Sequence, residues 1–102
     1  MLQENKYWSS GNWQVGSGKA EEFVEAWRAF LTWTKDANDG FLGARLIQDI
    51  QNPQHFVSFA TWRDIDAMRA WQGNPDFAEH FGACRALCED VQAGGYELSV
   101  DI

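Results

Sequence analysis

The residues best able to bind and transform a small molecule lie in one stretch of this chain, residues 56–81. This stretch carries Trp62, Trp71 and His80. An indole offers a flat apolar surface to a planar organic molecule, and an imidazole can carry a proton near neutral pH. The stretch therefore predicts a pocket for a flat organic molecule, and it indicates a pocket more strongly than a reaction.

Other motifs for catalysis are incomplete. Gly16-Ser17-Gly18-Lys19 resembles a phosphate-binding loop, but the earlier glycine of that pattern is missing and Ala20 replaces the metal-binding hydroxyl residue. Cys84 and Cys88 stand four residues apart with no further ligand at a fitting spacing. We predict a plain connection at the first site, two reduced thiols on one helix face at the second, and no metal centre.

The length and charge of the chain exclude several classes of function. At 102 residues it is expected to form a single domain, residues 1–102. Its 15 acidic and 8 basic residues give a net charge of -7, which disfavours nucleic acid and anionic membrane surfaces as partners. Because the first residues lack an apolar signal core and no run is long enough to span a membrane, we expect a cytoplasmic protein.

The periodicity of apolar residues predicts the elements that position these side chains. A short helix after an Asp64 cap should turn Ile65, Met68 and Trp71 inward, and Asn74 should cap the last helix. The first predicted elements are a strand at 6–15, a helix at 19–37 and strands at 41–49 and 55–62. The short helix follows, and then a last helix that begins at Pro75, carries Cys88 and Val91, and ends at Gly94-Gly95. A strand at 96–102 completes the chain.

This βαββαβ order is that of a ferredoxin-like α+β fold, with an antiparallel sheet and helices on one face. The second and third strands are apolar on both faces, and the helices can cover one of them. We therefore predict that the other face packs on a second copy, giving a homodimer. Arg45 and His55 interrupt the apolar pattern and are expected to pair across that interface or at its rim.

The order of several short motifs resembles that of the antibiotic biosynthesis monooxygenase (ABM) domain, and the likeness extends over nearly the whole chain. The motifs that carry it are Gly18-Lys19-Ala20-Glu21-Glu22-Phe23, Gly40-Phe41, Asn52-Pro53, Phe56-Val57-Ser58-Phe59-Ala60-Thr61-Trp62, Ala70-Trp71 and Pro75-Asp76-Phe77.

The resemblance implies a dimeric α+β barrel with a ferredoxin-like fold in each subunit. Members of the family include oxygenases that act on polycyclic quinone precursors without metal or flavin, enzymes that cleave haem, and proteins that act on small aldehydes and quinols. The resemblance thus implies a monooxygenase without a cofactor, in which Trp62 stacks on a planar substrate. His80, Tyr7 and Arg85 are the candidates for proton transfer or phenolate stabilisation.

The predicted pocket lies between the sheet and the helices. Gly11, Ser58 and Ala60 share a strand face with Trp13 and Trp62, and small residues there leave room. Trp27 of the first helix either lines that room or fills it. The candidate substrate-binding residues are Trp62, Trp13, Trp27, Ser58 and Asn12.

Two other functions are open from the sequence. One is a non-catalytic dimeric barrel that binds a small aromatic ligand, which fits the absence of a complete catalytic motif. The other is haem binding or cleavage, for which the resemblance implies an Asn, a Trp and a His, here Asn12, Trp62 and His80. Asn12 and His80 each stand one residue out of register with the family positions, which reverses a strand side chain and rotates a helical one by about 100°.

Overall fold

The computed structural model describes residues 6–102 and confirms the βαββαβ order. An additional short helix, α2, precedes the last helix, as the sequence predicts. The elements are β1 (Tyr7–Val15), α1 (Ala20–Ala37), β2 (Phe41–Gln48), β3 (His55–Trp62), α2 (Ile65–Gln72), α3 (Phe77–Arg85) and β4 (Cys88–Glu97).

The four strands form one antiparallel sheet in the order β2-β3-β1-β4. We call the side that packs on the helices the inner face and the opposite side the outer face. Strict alternation along β1 and β3 places the inner residues in the core and the outer ones nearer solvent. The inner residues of these two strands are Ser9, Gly11, Trp13, Val15, Phe56, Ser58, Ala60 and Trp62.

The second strand contains an irregularity that changes which of its residues face the helices. Its register against β3 shifts between Phe41 and Gly43, so Leu42 has no paired residue and is 44% exposed. Beyond the shift, Ala44 and Leu46 face inward, whereas Arg45 and Ile47 face outward. The outer face therefore keeps apolar side chains on β2 as well as on β3.

The short helix confirms the predicted cap and corrects one inward residue. The Asp64 carboxylate accepts a hydrogen bond from the backbone N–H of Ala67 at 2.7 Å, and Met68 and Trp71 are buried. Ile65 is exposed, contrary to prediction. Ile65 and Trp71 are six residues apart, which separates them by about 120° around a helix, so both cannot point into the same core.

The boundary between the last helix and the last strand was predicted wrongly. The helix ends at Arg85, and β4 begins at Cys88, so Cys88 and Val91 lie on a strand. Gly94 and Gly95 stand inside β4, where a side chain on Gly95 would meet the Met68 sulfur at 3.2 Å.

At the start of the last helix, the Asn74 side chain accepts a hydrogen bond from the backbone N–H of Asp76. Asp76, the residue at the helix start itself, makes no side-chain cap.

The helices of residues 6–102 include none that is both long and apolar enough to cross a membrane.

Candidate functional site

A cavity of about 140 Å³ lies between the inner face of the sheet and the helices. Its floor is formed by small residues of β1 and β3, among them Ser9, Gly11, Ser58 and Ala60. Its walls are aromatic side chains, namely Trp13, Trp27, Phe30, Trp71, Phe77 and Phe81. The arrangement suits a flat apolar ligand that carries a polar group at its floor end.

Three buried indoles around this core each donate to a hydroxyl group. Trp13 Nε1 donates to Ser58 Oγ at 2.9 Å, and Trp62 Nε1 donates to Ser9 Oγ at 3.0 Å. Trp71 Nε1 donates to Thr34 Oγ1 at 2.9 Å, and this hydroxyl in turn donates to the carbonyl oxygen of Phe30 at 2.8 Å. These bonds fix the indole rings in one orientation, because a buried N–H without a partner is costly.

The floor of the cavity depends on a glycine. A Cβ atom at Gly11 would lie 2.5 Å from Trp13 Nε1 and 2.9 Å from Ser58 Oγ. The absence of a side chain at Gly11 therefore lets the Trp13 ring cross the strand and reach Ser58.

Trp13 and Ser58 line the cavity, and so does Trp27, for which the sequence left open whether it would line or fill that space. Trp62 does not: it is fully buried, and its ring packs on Trp71 with centroids 4.8 Å apart. The wall position expected for Trp62 is taken by Trp71. The alternation that places Gly11 on the inner face also places Ser9 there, so the sequence contained the signal for Ser9 as a floor residue.

Asn12 lies on the outer face, separated from the cavity by the sheet. Its Oδ1 is 2.8 Å from His55 Nε2, and His55 Nδ1 is 3.0 Å from Asp49 Oδ2. The hydrogen bond with His55, followed by one from the backbone of Gln51, lowers the pKa of Asp49. His55 is thus bound within its own chain, and this cluster ties the β2–β3 hairpin to β1.

The three predicted proton-transfer residues are not brought together. The His80 ring stacks on Trp33 at 4.4 Å on the helical side of the molecule. Tyr7 lies near Met68 and Gly95 in a separate depression, and Arg85 is exposed at the end of α3. None of the three lines the cavity.

The haem alternative does not fit these positions. Asn12 is on the outer face and His80 is on the helical layer, so the sheet separates the two implied residues. A cavity of about 150 Å³ holds one benzene ring, and the cavity here is of that size, about 140 Å³. A haem macrocycle is several times larger. Among residues 6–102, no three His, Cys, Asp or Glu side chains cluster closely enough to hold a metal ion.

The two cysteines are free thiols, as predicted, but they do not share a helix face. Cys84 is buried on α3, and Cys88 opens β4 with its thiol donating to the Cys84 carbonyl oxygen at 3.4 Å. Burial, with a smaller contribution from Cys88, raises the pKa of Cys84 to about 12.

Comparison with known proteins agrees with the fold. The family model for antibiotic biosynthesis monooxygenase matches residues 10–83. SnoaB, a cofactor-independent oxygenase from Streptomyces nogalater, is similar in structure with a TM-score of 0.86 and 22% sequence identity, covering 96% of this chain and 97% of its own. A search of curated proteins gave no match.

Two further solved structures have the same fold. A conserved protein from Methanosarcina mazei has a TM-score of 0.81 at 17% identity, covering 96% of this chain and 98% of its own. A candidate antibiotic biosynthesis monooxygenase from Deinococcus radiodurans has a TM-score of 0.80 at 22% identity, covering 94% of this chain and 95% of its own. The chain belongs to the antibiotic biosynthesis monooxygenase family.

Proposed function

We propose that this protein is a monooxygenase that oxidises a small planar phenol or quinol without metal or flavin. The observation that carries the proposal is the cavity with aromatic walls and a hydroxyl-lined floor, in a chain of the ABM family. A similar structure, SnoaB, is described as a cofactor-independent oxygenase, which supports the absence of a cofactor here.

In the proposed reaction the substrate supplies the electrons. The phenolate passes one electron to O₂, and the resulting superoxide joins the ring carbon to form a peroxide. Loss of the hydrogen on that carbon, with cleavage of the O–O bond, gives a quinone and one water for each O₂ consumed. The side chains hold the ring, exclude water and donate hydrogen bonds to the phenolate oxygen.

The polar residues that line the cavity are Ser9, Ser10, Ser58 and Gln72. None of these side chains titrates near neutral pH. The substrate must therefore ionise by itself, and the rate should rise with pH toward the pKa of the bound phenol.

The same lack of a titratable group supports a second candidate function, a barrel that binds an aromatic ligand without transforming it. The two functions differ in oxygen consumption. We propose a homodimer in either case, with the outer faces of two sheets in contact.

The test is oxygen uptake with a panel of one-ring phenols and quinols. We expect one O₂ consumed per quinone formed, and a large loss of turnover in Ala60→Leu, which fills the floor of the cavity. Ala78→Leu, on the exposed side of α3, is the matched control and should keep its activity. Tight binding of these compounds with no oxygen uptake would instead establish the non-catalytic function.

A further inference from the structure

We propose that Ser9 and Ser58 act as a pair of hydroxyl donors that recognise the oxygen substituent of a one-ring aromatic ligand, such as a phenolate, an aryl ketone or a quinone. The proposal deepens the proposed function, since it rests on the cavity being the ligand site. It concerns binding alone, so it can fail or succeed independently of oxygen chemistry.

The hydrogen-bonding roles of the two serine hydroxyl groups follow from the indoles that they contact. An indole N–H can donate but not accept, so Ser9 Oγ and Ser58 Oγ must both be acceptors toward Trp62 and Trp13. Each hydroxyl keeps its own hydrogen, and no acceptor within residues 6–102 takes it. Both serines line the cavity and are nearly buried residues, at 6% and 7% exposure.

Thr34 shows the contrasting arrangement. Its hydroxyl also accepts from an indole, that of Trp71, but it gives its hydrogen to the Phe30 carbonyl oxygen. Thr34 does not line the cavity. The two serines therefore differ from Thr34 in having a hydrogen available to a ligand.

The register of the sheet brings the two serines close to each other. Ser9 is opposite Ala60, and Ser58 is opposite Gly11, so the serines occupy diagonal positions. Diagonal neighbours on one face of an antiparallel pair are about 7–8 Å apart, and their Cβ atoms are somewhat closer. The Trp13 ring covers the Gly11 corner, whereas Ala60 at the other corner carries only a methyl group. We therefore place the ligand oxygen over Ala60, between the two hydroxyl groups, where it accepts from both.

The size of the cavity limits the ligand. A volume of about 140 Å³ accommodates a single ring, by comparison with a cavity of about 150 Å³ that binds benzene. Polycyclic substrates would require the α1 and α3 walls to move apart.

The experiment compares acetophenone with α-methylstyrene, which has the same shape but carries =CH₂ in place of the carbonyl oxygen. Affinities are measured by calorimetry under anaerobic conditions, so that turnover plays no part. We expect the wild-type protein to bind acetophenone at least tenfold more tightly. Ser9→Ala and Ser58→Ala should each reduce this preference by about fivefold to tenfold, and the double variant should remove it.

Thr34→Val is the matched control, because it also deprives an indole N–H of its acceptor. It should keep the wild-type preference for acetophenone. Equal affinity of the wild-type protein for the two compounds, a failure to bind either, or a preference that survives in the double variant would overturn the proposal. A preference for acetophenone without any oxygen uptake from phenols would leave it standing and overturn the monooxygenase function.

Discussion

At the scale of single residues, the cavity depends on contacts that leave little room for substitution. Gly11, Trp13 and Ser58 meet within hydrogen-bonding distance on the inner face, and a Cβ at Gly11 would overlap the ring of Trp13. The ring cannot simply rotate away, because its other side packs on Phe23 and Phe81 at centroid distances of 5.2 and 5.5 Å.

We therefore expect Gly11→Ala to destabilise the protein by roughly 1–3 kcal/mol through overpacking. Thermal unfolding should show a midpoint lower by about 10 °C. Gly82→Ala is the control, because nothing lies within 4 Å of its would-be Cβ and alanine favours the α3 helix. An unchanged midpoint in Gly11→Ala would show that the Trp13–Ser58 contact is not close-packed in solution.

The raised pKa of Cys84, about 12, predicts slow chemistry at this residue. The thiolate is the form that reacts with alkylating agents, and burial keeps the thiol protonated. Iodoacetamide at mildly alkaline pH should modify the half-buried Cys88 first, as read by mass spectrometry of peptides. In denaturant both residues should react at similar rates, and rapid labelling of Cys84 in the folded protein would contradict the buried position.

At the scale of elements, the sequence predicted the helices and strands that have clear local signals. It misplaced the boundary that depends on pairing between strands. Strand β3 was predicted at the residues observed, and the Asp64 cap is confirmed. Leu87, Cys88 and Val91 continue the helical spacing of Phe77, Phe81 and Cys84, so local pattern favoured one long helix. Residues 88–97 instead form a strand, because they pair with the free edge of β1 and so supply it with a ladder of backbone hydrogen bonds.

The residues of the candidate site likewise divide into those that local pattern predicts and those whose position depends on packing. Alternation along β1 and β3 predicted the inner position of Trp13 and Ser58. The choice of Asn12 as a substrate-binding residue was wrong, because the same alternation places it on the outer face. Which of Trp62 and Trp71 lines the cavity depends on how α2 packs on the sheet, and no local signal carries that information.

Two aspartates at helix starts allow a matched test of capping. Asp64 accepts from the backbone N–H of Ala67, whereas Asp76 makes no side-chain cap bond. We expect Asp64→Ala to lower the unfolding midpoint by about 5 °C and Asp76→Ala to have little effect. Equal effects of the two substitutions would contradict the assigned cap.

The pH dependence of this cap has a definite sign. The bond from Ala67, with the hydrogen bond from Arg63 next in size, lowers the pKa of Asp64 below its ordinary 3.8. Its stabilising contribution is therefore present above that value and is lost as the pH falls through the lowered pKa. The midpoint difference between wild type and Asp64→Ala should shrink over that acidic range.

At the scale of the whole molecule, the outer face is the surface that most needs a partner. Trp8 and Phe59 make an edge-to-face contact there at 6.3 Å, and Ile47 on the neighbouring strand is 53% exposed. A sheet face of this kind is typical of an interface between subunits.

We expect Ile47→Lys to convert the proposed dimer into a monomer, because it would bury an unpaired charge at the interface. Its exposure in the single subunit means that the fold should survive. Ile65→Lys, at an exposed site on α2, is the control and should remain dimeric in sedimentation velocity. A wild-type protein that sediments as a monomer would contradict the proposed assembly.

The contact between Trp62 and Trp71 has a consequence for spectroscopy. The two rings lie 4.8 Å apart and are tilted by 36°, so their electronic transitions should couple and give an exciton couplet in circular dichroism. One indole belongs to the sheet and the other to α2, and each is held by its own hydroxyl partner. Loss of the couplet would therefore signal that α2 has separated from the sheet, even while the helices and strands themselves remain intact.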